Sequence, residues 1–207
     1  MNPEAGVVLK YFPELSDKQK LQFDKFGNAI REINSKVNLI SRKDESNLFE
    51  RHILHSLSIA KYIRFPAGSR VVDAGTGGGF PGIPLAIYFP EVHFTLVDSI
   101  AKKVNAVKKI ADLLDLKNVT VLNSRMEQVN ESFDFAVTRA VAPLKTLKQW
   151  LKGKINNRYS ESGLICLKGG NLEEEIKAAG KSVKLKKVAD FFEEEFFSGK
   201  FILHTKC

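Results

Sequence analysis

The stretch VVDAGTGGGFPG, Val71–Gly82, constrains this chain more than any other. Its glycines follow an acid, Asp73, and run into two prolines, Pro81 and Pro84. A glycine-rich turn between a strand and a helix is common to nucleotide, dinucleotide and S-adenosylmethionine (SAM) folds. Gly77, Gly79 and Gly82 satisfy the spacing G-x-G-x-x-G, and Asp98 lies about twenty residues further on, where an acid binds a ribose diol. That spacing admits a dinucleotide. A pyrophosphate, however, is held by backbone N–H groups at the start of the helix, and each proline removes one. A ligand without phosphates suits the loop better. SAM carries a sulfonium, a ribose, an adenine and a zwitterionic amino-acid tail, which glycines let the backbone approach. Asp73 is placed to accept hydrogen bonds within the loop or from the ligand's ammonium.

The surrounding pattern agrees with a ligand-binding α/β fold. Short apolar runs, RVVDAG, HFTLVD, NVTVLN, FDFAVT and GLICLK, read as buried parallel strands. Helical segments are expected between them, over about 81–89, 100–115, 143–155 and 171–179, which makes a doubly wound sheet. Near the end, SVKLKKVADF and KFILHTK predict an antiparallel edge. Before Ser69 the periodicity is helical: Leu21, Phe26, Ile30, Ile33 and Val37 follow a helix start at Ser16, and a second pattern runs from Leu48 to Ile63. The expected organisation is a helical extension over residues 1–67 and a SAM-binding core over residues 68–207, in one compact unit. In such sheets ligands bind outside the carboxyl ends of the strands. The third strand leads to Met126, an apolar wall for an adenine, and the fourth to Arg139, which faces the reaction crevice and can orient an acceptor or hold a phosphate.

Together these segments resemble a known family. Asp73-Ala74-Gly75-Thr76-Gly77, Phe80-Pro81-Gly82-Ile83-Pro84, Leu96-Val97-Asp98-Ser99, Ser124-Arg125 with Glu127, Thr138-Arg139-Ala140 and Leu167-Lys168-Gly169 are similar to the bacterial 16S rRNA guanine-N7 methyltransferases, also called glucose-inhibited division protein B. The likeness extends upstream to Asn38-Leu39 and Arg51-His52-Ile53-Leu54, so it covers most of the chain. It implies a Rossmann-like class I SAM-dependent methyltransferase that modifies N7 of a single guanine in 16S rRNA. Carried over by position, Gly75, Phe80, Met126, Glu127 and Arg139 would contact the cofactor or line its site, beside the Asp73, Gly77 and Asp98 already singled out. Three positions depart from the family pattern. His55 replaces a usual aspartate, Ile33 a common tryptophan, and Gly78 stands where proline or alanine is frequent.

The chemistry fits that implication. Guanine N7 carries a free lone pair and needs no deprotonation, and the methyl of SAM is already activated, so transfer chiefly requires alignment. Exocyclic amine methylation uses an Asn/Asp-Pro-Pro-aromatic loop, whereas this chain has Thr138-Arg139-Ala140-Val141-Ala142-Pro143. Carbon-5 chemistry needs a nucleophilic cysteine. Cys166 lies inside an apolar run and Cys207 is terminal, a pair that supports neither a metal site nor a disulfide framework. A formal charge of +8 favours a polyanionic partner. The expected one is 16S rRNA or an assembling small ribosomal subunit, met by Arg42, Lys43, Arg51, His52 and Arg125. The N-terminus lacks a signal-peptide pattern, and no run approaches membrane-spanning length. A cytoplasmic, metal-free monomer is expected. Two other readings stay open at this level: the same fold acting on a small molecule or protein, and a basic RNA-binding module with a vestigial cleft.

Overall fold

A strand forms at every apolar run, in a computed structural model that describes residues 3–139, 141–179 and 183–207. Ala140, expected just beyond the fourth strand, and Ser182, expected to open the sixth, lie outside the described residues. In chain order the elements are α1 (Gly6–Tyr11), α2 (Asp17–Asn34), a π-helical turn (Phe49–Leu54) running into α3 (His55–Tyr62), β1 (Arg70–Ala74), α4 (Gly82–Tyr88), β2 (His93–Asp98), α5 (Ala101–Leu113) and β3 (Val119–Asn123). There follow β4 (Phe135–Arg139), α6 (Leu144–Trp150), β5 (Gly163–Gly169), α7 (Glu173–Ala179), β6 (Val183–Lys187) and β7 (Lys200–Thr205). Helix α6 is shorter than the expected 143–155 and ends at Trp150, three residues before Gly153 at φ +74°. Val188–Asp190, read as strand, is a 3₁₀ turn.

The sheet has the order β3-β2-β1-β4-β5-β7-β6. Strands β1 to β5 are parallel, and β7 enters antiparallel between β5 and β6, as the terminal runs predicted. The order turns back between β1 and β4, and a crevice opens there above the carboxyl ends of the strands. Thr138 donates to the Ala74 carbonyl at 2.8 Å and fastens the two strands at that point.

Alternation along the strands sends residues to two separate cores. Val71, Leu96, Phe135 and Val137 face α4, α5 and the N-terminal helices. Val72, Ala74, Val97 and Ala136 face α6 and Met126. The N-terminal helices share the first core: Phe12, Phe23, Phe26 and Phe49 are buried in one cluster with Ile83, Phe94 and Val107.

Polar side chains fix how that extension sits. Ser16 and Gln19 form a capping box that starts α2. The Gln19 amide also donates to the carbonyls of Ile87 at 2.9 Å and Tyr88 at 3.2 Å, where the end of α4 leaves acceptors without intrahelical partners. Gln22 does the same for Leu114 past the end of α5, at 2.8 Å. Asn118 reaches Ala86, Phe89 and Val92 carbonyls at 3.0, 3.1 and 3.0 Å. Beyond α2, Asn34 accepts from the N–H groups of Leu39 at 2.8 Å and Ile40 at 3.0 Å, closing a turn that lays Leu39 against Gly78. In the π-helical turn the His55 N–H donates to the Glu50 carbonyl, five residues back.

Asn118 is the side chain most open to test, because its loss strands several carbonyls while removing little packing. Asn118→Ala is expected to destabilise the protein by about 1–3 kcal/mol. A lower urea midpoint at unchanged slope is the signature, and an unaltered midpoint would show that the α4 end needs no such donor.

Candidate active site

Asp73 ends β1 with its carboxylate beneath the glycine loop, fully buried. One oxygen accepts from the Thr76 hydroxyl at 2.6 Å and from the Gly82 N–H at 2.8 Å. The other has no hydrogen-bond partner. A Cβ at Gly82 would lie 2.7 Å from that same carboxylate and 2.8 Å from Leu96, so only glycine permits the approach. Burial pushes the Asp73 carboxyl up to about 7, against the opposing pull of Thr76, Gly82 and Arg139.

The loop above it leaves little for a phosphate. The N–H groups of Gly75 and Thr76 donate to the Val97 carbonyl, those of Gly79 and Phe80 to Thr76, and that of Ile83 to Gly79. Gly77 donates to Asp98 at 2.9 Å. Pro81 precedes the first helical residue, Gly82 is spent on Asp73, and Pro84 has no N–H to give. The start of α4 is therefore not an anion site, which removes the physical basis for a dinucleotide.

Around the loop lies a cavity of about 420 Å³. The expected Gly75, Gly77, Phe80, Asp98, Met126, Glu127 and Arg139 all line it. Asp73 does not belong to that lining; it shapes the loop from below. Gly77 sits at φ +58°, and a Cβ there would meet nothing within 4 Å, so its backbone is open to a close ligand. Asp98 accepts from Gly77 with one oxygen and from Ile100 N–H with the other, at 2.9 Å each, and each oxygen keeps a lone pair for a diol. Met126 is buried as an apolar wall. The volume, the acid at the end of β2 and the open glycine backbone fit SAM.

Arg139 is half-buried on the crevice wall, its guanidinium over the Phe80 ring at 4.9 Å. One nitrogen donates to the Arg51 carbonyl at 3.4 Å, and no carboxylate among the described residues pairs with it within 4.0 Å. Burial lowers its pKa to about 10, so it stays charged at neutral pH. Phe80 packs against Phe26 at 5.2 Å and His52 at 5.3 Å, so its ring is not free for a guanine to stack on.

The residues expected to meet RNA divide. Arg42 and Lys43 are exposed next to Leu39, which itself lines the cavity. Arg125 is exposed and lies on the cavity wall with Lys103. Arg51 is half-buried and bound to Asp44 at 3.1 Å. His52 is a correction: it is buried behind Phe80, both ring nitrogens without hydrogen-bond partners, and burial, reinforced by Arg139, lowers its pKa to about 3. His55 is likewise buried, against Phe196 and Phe197, with a pKa lowered to about 3 by burial and by Arg139. Both are neutral at physiological pH. Leu39, Ile100, Val141 and Trp150 were not singled out as site residues, although Leu39 belongs to the Asn38-Leu39 likeness and Trp150 is the single tryptophan.

A doubly wound sheet of this order, with a phosphate-averse glycine loop and an acid at the end of β2, fits a SAM-dependent methyltransferase. Solved structures agree on the fold. A SAM-dependent methyltransferase from Aquifex aeolicus superimposes with a TM-score of 0.56 at 20% identity, covering 80% of this chain and 98% of that one. A mutant MtNAS in complex with S-adenosylmethionine gives 0.58 at 16% identity, over 100% of this chain and 79% of its own. The sequence goes further than the fold. The family described as rRNA small subunit methyltransferase G matches residues 19–200. Ribosomal RNA small subunit methyltransferase G of Bacteroides thetaiotaomicron is 47% identical over 203 residues, 97% of this chain and 98% of the relative. That of Flavobacterium johnsoniae is 47% identical over 200 residues, 95% of each. The chain belongs to this family.

Gly77→Ala separates folding from ligand binding. It places a methyl in open space at a modest backbone cost, about 1–2 kcal/mol, and should weaken SAM binding at least about tenfold by occupying the approach. Calorimetry that found wild-type affinity in a folded variant would move the ligand off this loop. Asp73 offers a pH test. Its carboxyl titrates near the ordinary 3.8 when unfolded and near 7 when folded. The native state thus holds the extra proton, and this contribution to stability is complete below about 4 and lost as pH rises through about 7. Asp73→Asn, which keeps an oxygen for Thr76 and Gly82, should lack that slope in urea midpoints measured across the range.

Proposed function

We propose that the protein transfers a methyl group from SAM to N7 of one guanine in 16S rRNA, acting in the cytoplasm as a metal-free monomer. The observation that carries the reading is the cavity itself: a glycine loop closed to phosphate, the acid Asp98 and the Arg139 guanidinium share one crevice in a chain of the small-subunit rRNA methyltransferase G family. Residues 68–207 serve as the catalytic core and residues 1–67 as a helical cap on one of its faces.

SAM supplies an electrophilic methyl that needs no activation by the protein. Guanine N7 supplies a lone pair in its ordinary protonation state, so the chain has to align groups rather than move a proton. The buried histidines agree with that economy. His52 and His55 have pKa values near 3 and no open path to a substrate, so neither is placed as a general base. Gly75 and Gly77 admit the amino-acid end of the cofactor, Asp98 its ribose, and Met126 and Glu127 border the adenine. Arg139, which meets no carboxylate within 4.0 Å among the described residues, orients the acceptor through its guanidinium plane or holds a neighbouring phosphate.

Exposed cations are at hand: Arg42 and Lys43 follow Leu39, Arg125 lies on the cavity wall, and Lys102, Lys108 and Lys109 are carried by α5. Phosphate contacts from such groups supply affinity, while the pocket selects the base. Binding should therefore weaken steeply with salt.

Mass spectrometry of rRNA from cells with and without this protein tests the assignment. One 7-methylguanosine should disappear from the small subunit and none from the large. The purified protein with SAM should restore it on rRNA from the deficient strain, presented naked or in assembling subunits. An unchanged complement of 7-methylguanosine would reject the reading.

A further inference from the structure

Val141 stands at the mouth of the cavity and presses on the glycine loop: a Cβ at Gly75 would lie 2.7 Å from it. Yet Val141 is 39% exposed, so burial does not hold it there. Its place is set by backbone anchors just downstream. Lys168, at the end of β5, donates to the Ala142 carbonyl at 2.7 Å. Glu175, on α7, accepts from the Leu144 N–H at 2.6 Å. The same Glu175 oxygen pairs with Lys168 at 2.8 Å, and the two side chains are only 12% and 22% exposed. One shielded ion pair thus grips the β4–α6 loop on either side of Pro143.

That loop carries much of the site. Arg139 precedes it, with Leu167 opposite on β5, and Trp150 at the far end of α6 lines the cavity. Leu144 opens α6, so its N–H would otherwise lack an intrahelical partner. Neither Lys168 nor Glu175 lines the cavity. They touch neither ligand nor acceptor, and act through the backbone they hold.

We propose that Lys168 and Glu175 are positioning residues for methyl transfer: their ion pair fixes Val141, in the loop that follows Arg139, against the glycine loop and sets the cavity's width. The inference rests on the methyltransferase reading above for its kinetic arm, and on Trp150 emission for an arm that needs no turnover. A small displacement of such a loop costs alignment, worth about tenfold to a hundredfold in rate. Lys168→Met should lower kcat by that factor at temperatures well below melting, with a smaller change in KM for rRNA. Lys168→Arg, which can still meet both acceptors, should recover most of the rate. Glu175→Gln keeps an oxygen for Leu144 but loses the charge, and should fall between them. The double variant Lys168→Met/Glu175→Gln should be little worse than Lys168→Met alone, since both remove one interaction.

Trp150 is the only tryptophan, so its quenching by acrylamide reports on α6 directly. Quenching should rise about twofold in Lys168→Met, and added SAM should protect it less than in the wild type. Wild-type kcat and quenching in both Lys168→Met and Glu175→Gln would overturn the proposal. So would a rate loss that follows only the melting temperature, or one that Lys168→Arg does not relieve. If the wild type bound SAM but methylated no rRNA, the acceptor reading would fall and the quenching comparison would still decide the clamp.

Discussion

Everything at the mouth of this crevice hangs on one carboxylate that meets no water. Asp73 receives a hydroxyl and a backbone N–H on one oxygen and so ties the end of β1 to the start of α4 across the glycine loop. An acid in that position determines the ligand class indirectly. It consumes the Gly82 N–H, a donor that a phosphate at the start of α4 would need. The same acid lies within the field of Arg139, which opposes the burial that raises its pKa.

The N-terminal helices extend this logic from the other side of the loop. Gln19, Gln22 and Asn34 use side-chain amides to occupy backbone groups that helix ends and turns leave unpaired, and each such bond contributes about 0.5–1.5 kcal/mol. Their geometric effect is larger than that figure suggests. They bring Leu39 against Gly78 and Phe26 against Phe80, so part of the ligand cavity is walled by residues from outside the α/β sheet.

Much of this was legible from the chain. Parallel strands buried on both faces give unbroken apolar runs, and β1 to β5 fall on those runs. The glycine loop and Asp98 are local in sequence and sit at strand ends, where a doubly wound sheet places its ligand, so they were found. Helix α1 was missed because six residues are too few to show a period. Leu39, Val141 and Trp150 were missed for a different reason: they reach the cavity through long-range packing and loop anchoring, which no local pattern encodes. His52 shows the converse error. A histidine beside an arginine reads as a basic surface pair, whereas the wide turn that carries it rotates Arg51 toward Asp44 and His52 inward onto Phe80.

That wide turn has a consequence for how the chain can vary in length. A π-helical turn holds one residue more than the α-helical path it replaces, and it shifts the side chains before it by about a hundred degrees relative to those after it. Removing a single residue between Phe49 and Leu54 would let the helix close into α-form without a gap. The loss would be one of aim rather than of continuity: the helix would survive, but Arg51 would no longer point to Asp44 nor His52 to Phe80.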